Sequence, residues 1–131
     1  MNRVFDASSI FEIAKRGDSS PLVDGYALTL TSYELGNILL KHTTLTHTLT
    51  VREAEDMRHV LDRMLQTMTL YSPDGIDQET LKIAVELHLS YYDASYLCAA
   101  KELKAELITE DVRLVKAATS VGIPSRSKAT L

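Results

Sequence analysis

The sequence predicts an α/β sandwich built on a mainly parallel central sheet. Short strand-like runs alternate with helix-period segments along the chain, and parallel strands need helical crossovers to connect them. The length, 131 residues with 45% hydrophobic side chains, suits one domain able to bury roughly two-thirds of the surface its unfolded chain exposes. Residues 1–131 are therefore read as a single domain, with 121–131 as a terminal edge strand and polar tail.

Arg3 to Asp6 reads as a strand ending in an aspartate. Ser9-Ile10-Phe11-Glu12 then has the capping-box pattern and opens a helix that ends near Gly17. Ala27 to Thr31 alternates as a second strand, and Thr31-Ser32-Tyr33-Glu34 repeats the capping-box pattern before Leu35, Ile38 and Leu39. Thr43 to Thr50 is rich in threonine, which disfavours helix, and reads as a connector. A third capping box, Thr50 to Glu53, starts a helix whose Met57, Val60, Leu61, Met64, Leu65 and Met68 form one stripe. That stripe suits core packing and equally a partner surface.

Thr69 to Tyr71 is a brief strand and Pro73-Asp74-Gly75 a turn. Helical patterning resumes at Asp77, pauses near Ser90 and restarts through Asp93, Tyr96, Leu97 and Ala100. Glu106 to Thr109 is a further strand, and Asp111 begins a last helix carrying Leu114, Val115 and Ala118. Gly122 to Lys128 supplies an edge strand and a basic tail.

Composition excludes several classes. The lone Cys98 cannot form an internal disulfide and rules out a CxxC zinc framework, which fits a reducing compartment. No run approaches ~18 apolar residues and no signal-peptide core follows Met1, so the expectation is a soluble, cytoplasmic protein with no membrane association. His42, His47, His59 and His88 lack zinc-site spacing, and no glycine-rich phosphate loop is present. The net charge of −4 argues against a general nucleic-acid coat. It is unevenly spread: the first hundred residues hold 8 basic and 14 acidic side chains, the remainder 6 and 4.

In parallel α/β folds ligands sit beyond the carboxyl ends of the strands. Asp6 ends one strand, Glu34 lies just past another, Asp111 just past a third, and Asp93 stands near the start of the helix feeding that third strand. Carboxylates held within ~4–6 Å cannot all stay ionised without a cation, and an all-oxygen set selects Mg²⁺ or Mn²⁺. Such a centre would let an acidic protein accept a phosphodiester, activate water and stabilise a leaving oxygen. Each acid also has a local reading: Asp6 and Asp93 as helix caps, Glu34 as the capping-box partner of Thr31, Asp111 as a partner of a helix dipole.

Four runs, Val4-Phe5-Asp6-Ala7-Ser8, Thr31-Ser32-Tyr33-Glu34-Leu35, Tyr92-Asp93-Ala94-Ser95-Tyr96-Leu97 and Leu107-Ile108-Thr109-Glu110-Asp111-Val112-Arg113-Leu114, together resemble the PIN domain family in its small VapC-type toxin ribonuclease form. The resemblance implies a three-layer α/β/α sandwich. It also implies a Mg²⁺- or Mn²⁺-dependent endoribonuclease, the toxin of a type II toxin–antitoxin pair, with Asp6, Glu34, Asp93 and Asp111 as catalytic metal ligands. Thr109 and Ser8 would support the site. Asp111 is preferred over the adjacent Glu110 because the Thr-x-Asp spacing matches. The implied partners are RNA, a cognate antitoxin and a second copy of the chain. Lys15, Arg16, Arg113 and Lys116 are candidate phosphate contacts.

Competing readings are an RNA-processing nuclease of the same family without an antitoxin, and a non-catalytic PIN-like interaction module. A phosphoacceptor receiver domain would need paired acids after the first strand, where Phe5-Asp6-Ala7 stands. A haloacid-dehalogenase-like phosphatase would need an aspartate where Ser8 stands.

Overall fold

The computed structural model describes residues 1–131. Five parallel strands, β1 (Asn2–Phe5), β2 (Tyr26–Leu28), β3 (Thr69–Tyr71), β4 (Ala105–Ile108) and β5 (Ser125–Arg126), form one sheet in the order β3-β2-β1-β4-β5. Six helices flank it: α1 (Ala7–Arg16), α2 (Thr31–Thr44), α3 (Val51–Gln66), α4 (Asp77–Leu87), α5 (Tyr91–Glu102) and α6 (Val112–Ser120). This is the α/β sandwich on a parallel sheet that the alternation predicts, in the three-layer α/β/α form that the family resemblance implies.

Period-two alternation along the strands divides the core. Val4, Leu28 and Leu107 point to one face, where they pack with Ala84 of α4, Leu97 of α5 and Leu114 of α6. Their neighbours Phe5, Ala27 and Ile108 point to the other, against Ile10 of α1, Leu35 of α2 and Leu65 of α3. The methionine stripe belongs to this second core. Leu61, Met64, Leu65 and Met68 are buried, and Met57 and Val60 pack partly buried beside them, so the stripe serves the interior.

Several predicted boundaries move, each for a local reason. α1 begins at Ala7 rather than at a Ser9 box, because the Asp6 carboxylate caps it by accepting from the Ser9 amide at 2.9 Å. Ser9 lies inside the helix and donates to the carbonyls of Asp6 and Ile108, tying α1 to β4. β2 stops at Leu28 because the Thr31 hydroxyl accepts the Leu28 amide at 2.9 Å and turns the chain into α2. α2 extends to Thr44, with the Thr43 and Thr44 hydroxyls donating to the carbonyls of Leu39 and Leu40, and the connector shrinks to 45–50. The Thr50–Glu53 capping box forms in full.

Candidate active site

The strand order reverses direction at β1. From there the chain runs outward to β2 and β3, then returns to the opposite side as β4. A crevice at the carboxyl ends of β1 and β4 is the place such a topology leaves for a ligand. Asp6 follows β1 directly, and Thr109 and Asp111 follow β4. Glu34 stands in the first turn of α2 and Asp93 in the first turn of α5. All four acids, with Ser8, border one cleft of about 530 Å³.

Asp6 is the most enclosed member, 6% exposed. One carboxylate oxygen accepts from the Ser9 amide and, at 3.1 Å, from the Ser8 hydroxyl. The other accepts from Thr109 Oγ1 at 2.5 Å. Thr109 is itself buried, and its hydroxyl oxygen accepts the Asp111 amide at 3.1 Å, so one threonine links the strand ends carrying two of the acids.

Glu34 does not form the capping box that its spacing suggests. The box needs Thr31 at the N-cap, but Leu30 holds that place and the Thr31 hydroxyl is already engaged. A directed chain runs instead from the Leu28 amide to Thr31 Oγ1, on to Tyr96 Oη at 2.7 Å, and from there to Glu34 Oε1 at 2.7 Å. Because the ionised carboxylate can only accept, Tyr96 gives it its one proton and the Thr31 hydroxyl in turn donates to Tyr96, so the chain ends on Glu34. Tyr96 is 1% exposed, and burial and then the Glu34 charge push its hydroxyl well above the ordinary tyrosine range, which keeps it a donor.

Asp93 is not an N-cap: Ser90 caps α5 by accepting the Asp93 amide at 3.0 Å, leaving the Asp93 carboxylate facing the cleft. Asp111 does cap α6, accepting the Arg113 amide at 2.9 Å, and also borders the cleft. Glu110 turns away. It accepts from the Ser127 hydroxyl at 3.0 Å and the Lys128 amide at 2.8 Å, and holds the C-terminal segment.

The acids feel one another. Burial raises the Asp6 pKa despite the hydrogen bonds from Thr109, Ser9 and Ser8. Burial raises Glu34 as well, and repulsion from Asp93 and Asp6 adds to it against the Tyr96 hydrogen bond. For Asp93 the causes are burial and then the Asp111 charge, opposed by Ser90 and Arg113. As the side chains stand, no three acidic, histidine or cysteine groups lie close enough together to hold a metal ion between them. Four carboxylates spread around an open cleft fit a hard divalent cation that retains part of its water shell.

Of the expected phosphate contacts only Arg113 stands beside the acids. α1 leads away from Asp6, so Lys15 and Arg16 stand about 15 Å along its axis. Lys15 pairs with Glu12, and Arg16 borders another depression with Arg3 and Asp18. Arg113 reaches Asp111 at 3.9 Å, while Lys116 is exposed outside the cleft. The cation that borders the cleft is Lys41, which sequence reasoning missed along with Tyr96. Tyr96 was legible in principle, three residues after Asp93 on the same face of a helix.

No family model matches the chain. A curated relative, exonuclease VapC9 of Pyrobaculum aerophilum, is 38% identical over 88 residues, 67% of this chain and 62% of that protein. The chain thus aligns with less than two-thirds of that relative's length. Among solved structures, PAE2754 of Pyrobaculum aerophilum matches with a TM-score of 0.81 at 26% identity, over 99% of this chain and 91% of that one. The chain is a PIN domain of the VapC type. FitAB bound to an IR36 DNA fragment matches this PIN domain in fold alone, with a TM-score of 0.59 at 15% identity over 95% and 94% of the two chains. No helix of the domain is long and apolar enough to cross a membrane.

Proposed function

We propose that this PIN domain is a Mg²⁺- or Mn²⁺-dependent endoribonuclease, the toxin of a type II toxin–antitoxin pair, in which Asp6, Glu34, Asp93 and Asp111 hold the metal. One observation carries the reading: carboxylates from three strand–helix junctions and from the α4–α5 junction border a single cleft in which the only lysine or arginine is Lys41. Carboxylates that repel one another across one cleft raise its affinity for a cation. The VapC9 relative and the family support a nuclease working beside an antitoxin, which together with a second copy of the chain is the protein partner implied.

Mg²⁺ or Mn²⁺ held by Asp6, Glu34, Asp93 and Asp111 would supply positive charge against the phosphate and Lewis acidity toward water and the leaving oxygen. The chain's own part is positional. Thr109 and Ser8 fix the Asp6 carboxylate, Tyr96 fixes Glu34, and Ser90 keeps Asp93 in the first turn of α5 facing the cleft. In this reading a water, and not a ribose 2′-hydroxyl, is the nucleophile, so the products would carry no cyclic phosphate.

Purified protein incubated with linear and circularised RNA, with Mn²⁺ or with chelator, tests this. Metal-dependent opening of the circle, abolished in Asp93→Asn, is expected. Degradation of the linear form alone would make the enzyme an exonuclease, as the VapC9 relative is named. Cleavage that persists in chelator and in Asp93→Asn would overturn the assignment.

A further inference from the structure

One side of the cleft carries groups that the metal reading does not use. Tyr33, Asn37 and Lys41 recur every four residues along α2, so they form one stripe with a rise of about 6 Å per step. Tyr92 stands at the start of α5 and borders the same cleft. Tyr33 is 84% exposed and Tyr92 58%, and each directly precedes a proposed metal ligand, Glu34 and Asp93. Lys41 enters no ion pair, although the cleft it borders is acidic.

Building on the nuclease reading above, we infer that Tyr33 and Tyr92 stack the nucleobases that flank the scissile phosphate of a single strand, and that Asn37 and Lys41 continue this track along α2. The electrostatics favour that division of labour. An acidic cleft repels a polyanion, so affinity near the metal has to come from contacts indifferent to charge, and base–aromatic stacking is of that kind. Lys41, two helical turns from Glu34, is far enough along to meet the next phosphate without neutralising the carboxylates. Bases in a duplex are already stacked on each other and cannot lie on either ring, so the track selects single-stranded RNA over duplex.

The test uses the full chain carrying Asp93→Asn to block cleavage, and reads anisotropy of a short fluorescein-labelled single-stranded RNA in Mg²⁺. Adding Tyr33→Leu or Tyr92→Leu should weaken binding about tenfold, while Tyr33→Phe, which keeps the ring, should restore it. Lys41→Gln should lower the slope of log affinity against log salt by about 0.7. The same sequence as a duplex should bind more weakly than the single strand. Leucine variants that bind as tightly as their parent, or a Tyr33→Phe variant as weak as Tyr33→Leu, would overturn the track. Failure of the two readings is separable. If the wild type cleaves RNA and Tyr33→Leu leaves KM unchanged, the track falls and the nuclease stands; if the wild type cleaves nothing but the leucine variants lose binding, the reverse holds.

Discussion

Tyr96 is the residue on which the geometry of Glu34 depends. Its hydroxyl is buried between Thr31 Oγ1 and Glu34 Oε1, so Tyr96→Phe strips a donor from a half-buried carboxylate and leaves the Thr31 proton without its acceptor. We expect a loss of about 1–3 kcal/mol in stability by chemical denaturation and a weaker Mn²⁺ affinity by calorimetry. A stability loss with unaltered Mn²⁺ affinity would make the tyrosine a packing residue only. The raised pKa of Asp93 makes a second prediction. A carboxyl that holds its proton more tightly in the folded state stabilises least once ionised, so its contribution declines as pH climbs above the ordinary 3.8 through the raised folded value. The metal-free Asp93→Asn variant should therefore gain on the wild type in melting temperature as pH rises through that window. A difference independent of pH would contradict the raised pKa that burial and then the Asp111 charge produce. Glu34 shows why such residues are only half legible in sequence. Its spacing from Thr31 satisfies a capping box, and what overrides the box is a tyrosine 65 positions from Thr31.

At the scale of elements, the sequence conveyed type and order better than ends. Apolar periodicity separates helix from strand over whole segments, but a boundary is decided by a few polar contacts. The alternation of Ala27 to Thr31 predicts a longer strand than β2, and nothing in it reveals that the Thr31 hydroxyl captures the Leu28 amide. The start of α1 was misplaced because Ser9 imitates a cap while Asp6 performs it. The loop after β4 allows a direct comparison of two adjacent acids. Glu110→Ala removes the acceptor of Ser127 and Lys128, and should destabilise the protein by about 1–2 kcal/mol while leaving Mn²⁺ affinity unaltered. Asp111→Ala should weaken Mn²⁺ binding. The opposite pattern in calorimetry would move the fourth ligand to Glu110.

For the whole molecule, the sheet order explains why acids so far apart in sequence meet. Reversal at β1 leaves the crevice between β1 and β4 uncovered, and α2 and α5 bring their first turns to its rim. That convergence is readable for Asp6, Glu34 and Asp111 because they follow strand ends, and for Asp93 because its helix feeds β4. The basic side of the cleft was not: Lys15 and Arg16 are close to Asp6 in sequence, yet the length of α1 separates them from it, while Lys41 arrives from another helix. The net charge of −4 changes meaning accordingly, because four of the 18 acidic residues border the place where divalent ions would offset them. The central claim is that these carboxylates act together as one cation site. Calorimetric titration of Mn²⁺ into the metal-free wild type and into Asp93→Asn tests it most directly: saturable binding of at least one ion per chain, weakened about tenfold or more by the substitution, is the predicted result, and equal binding in both proteins, or none in the wild type, would contradict it.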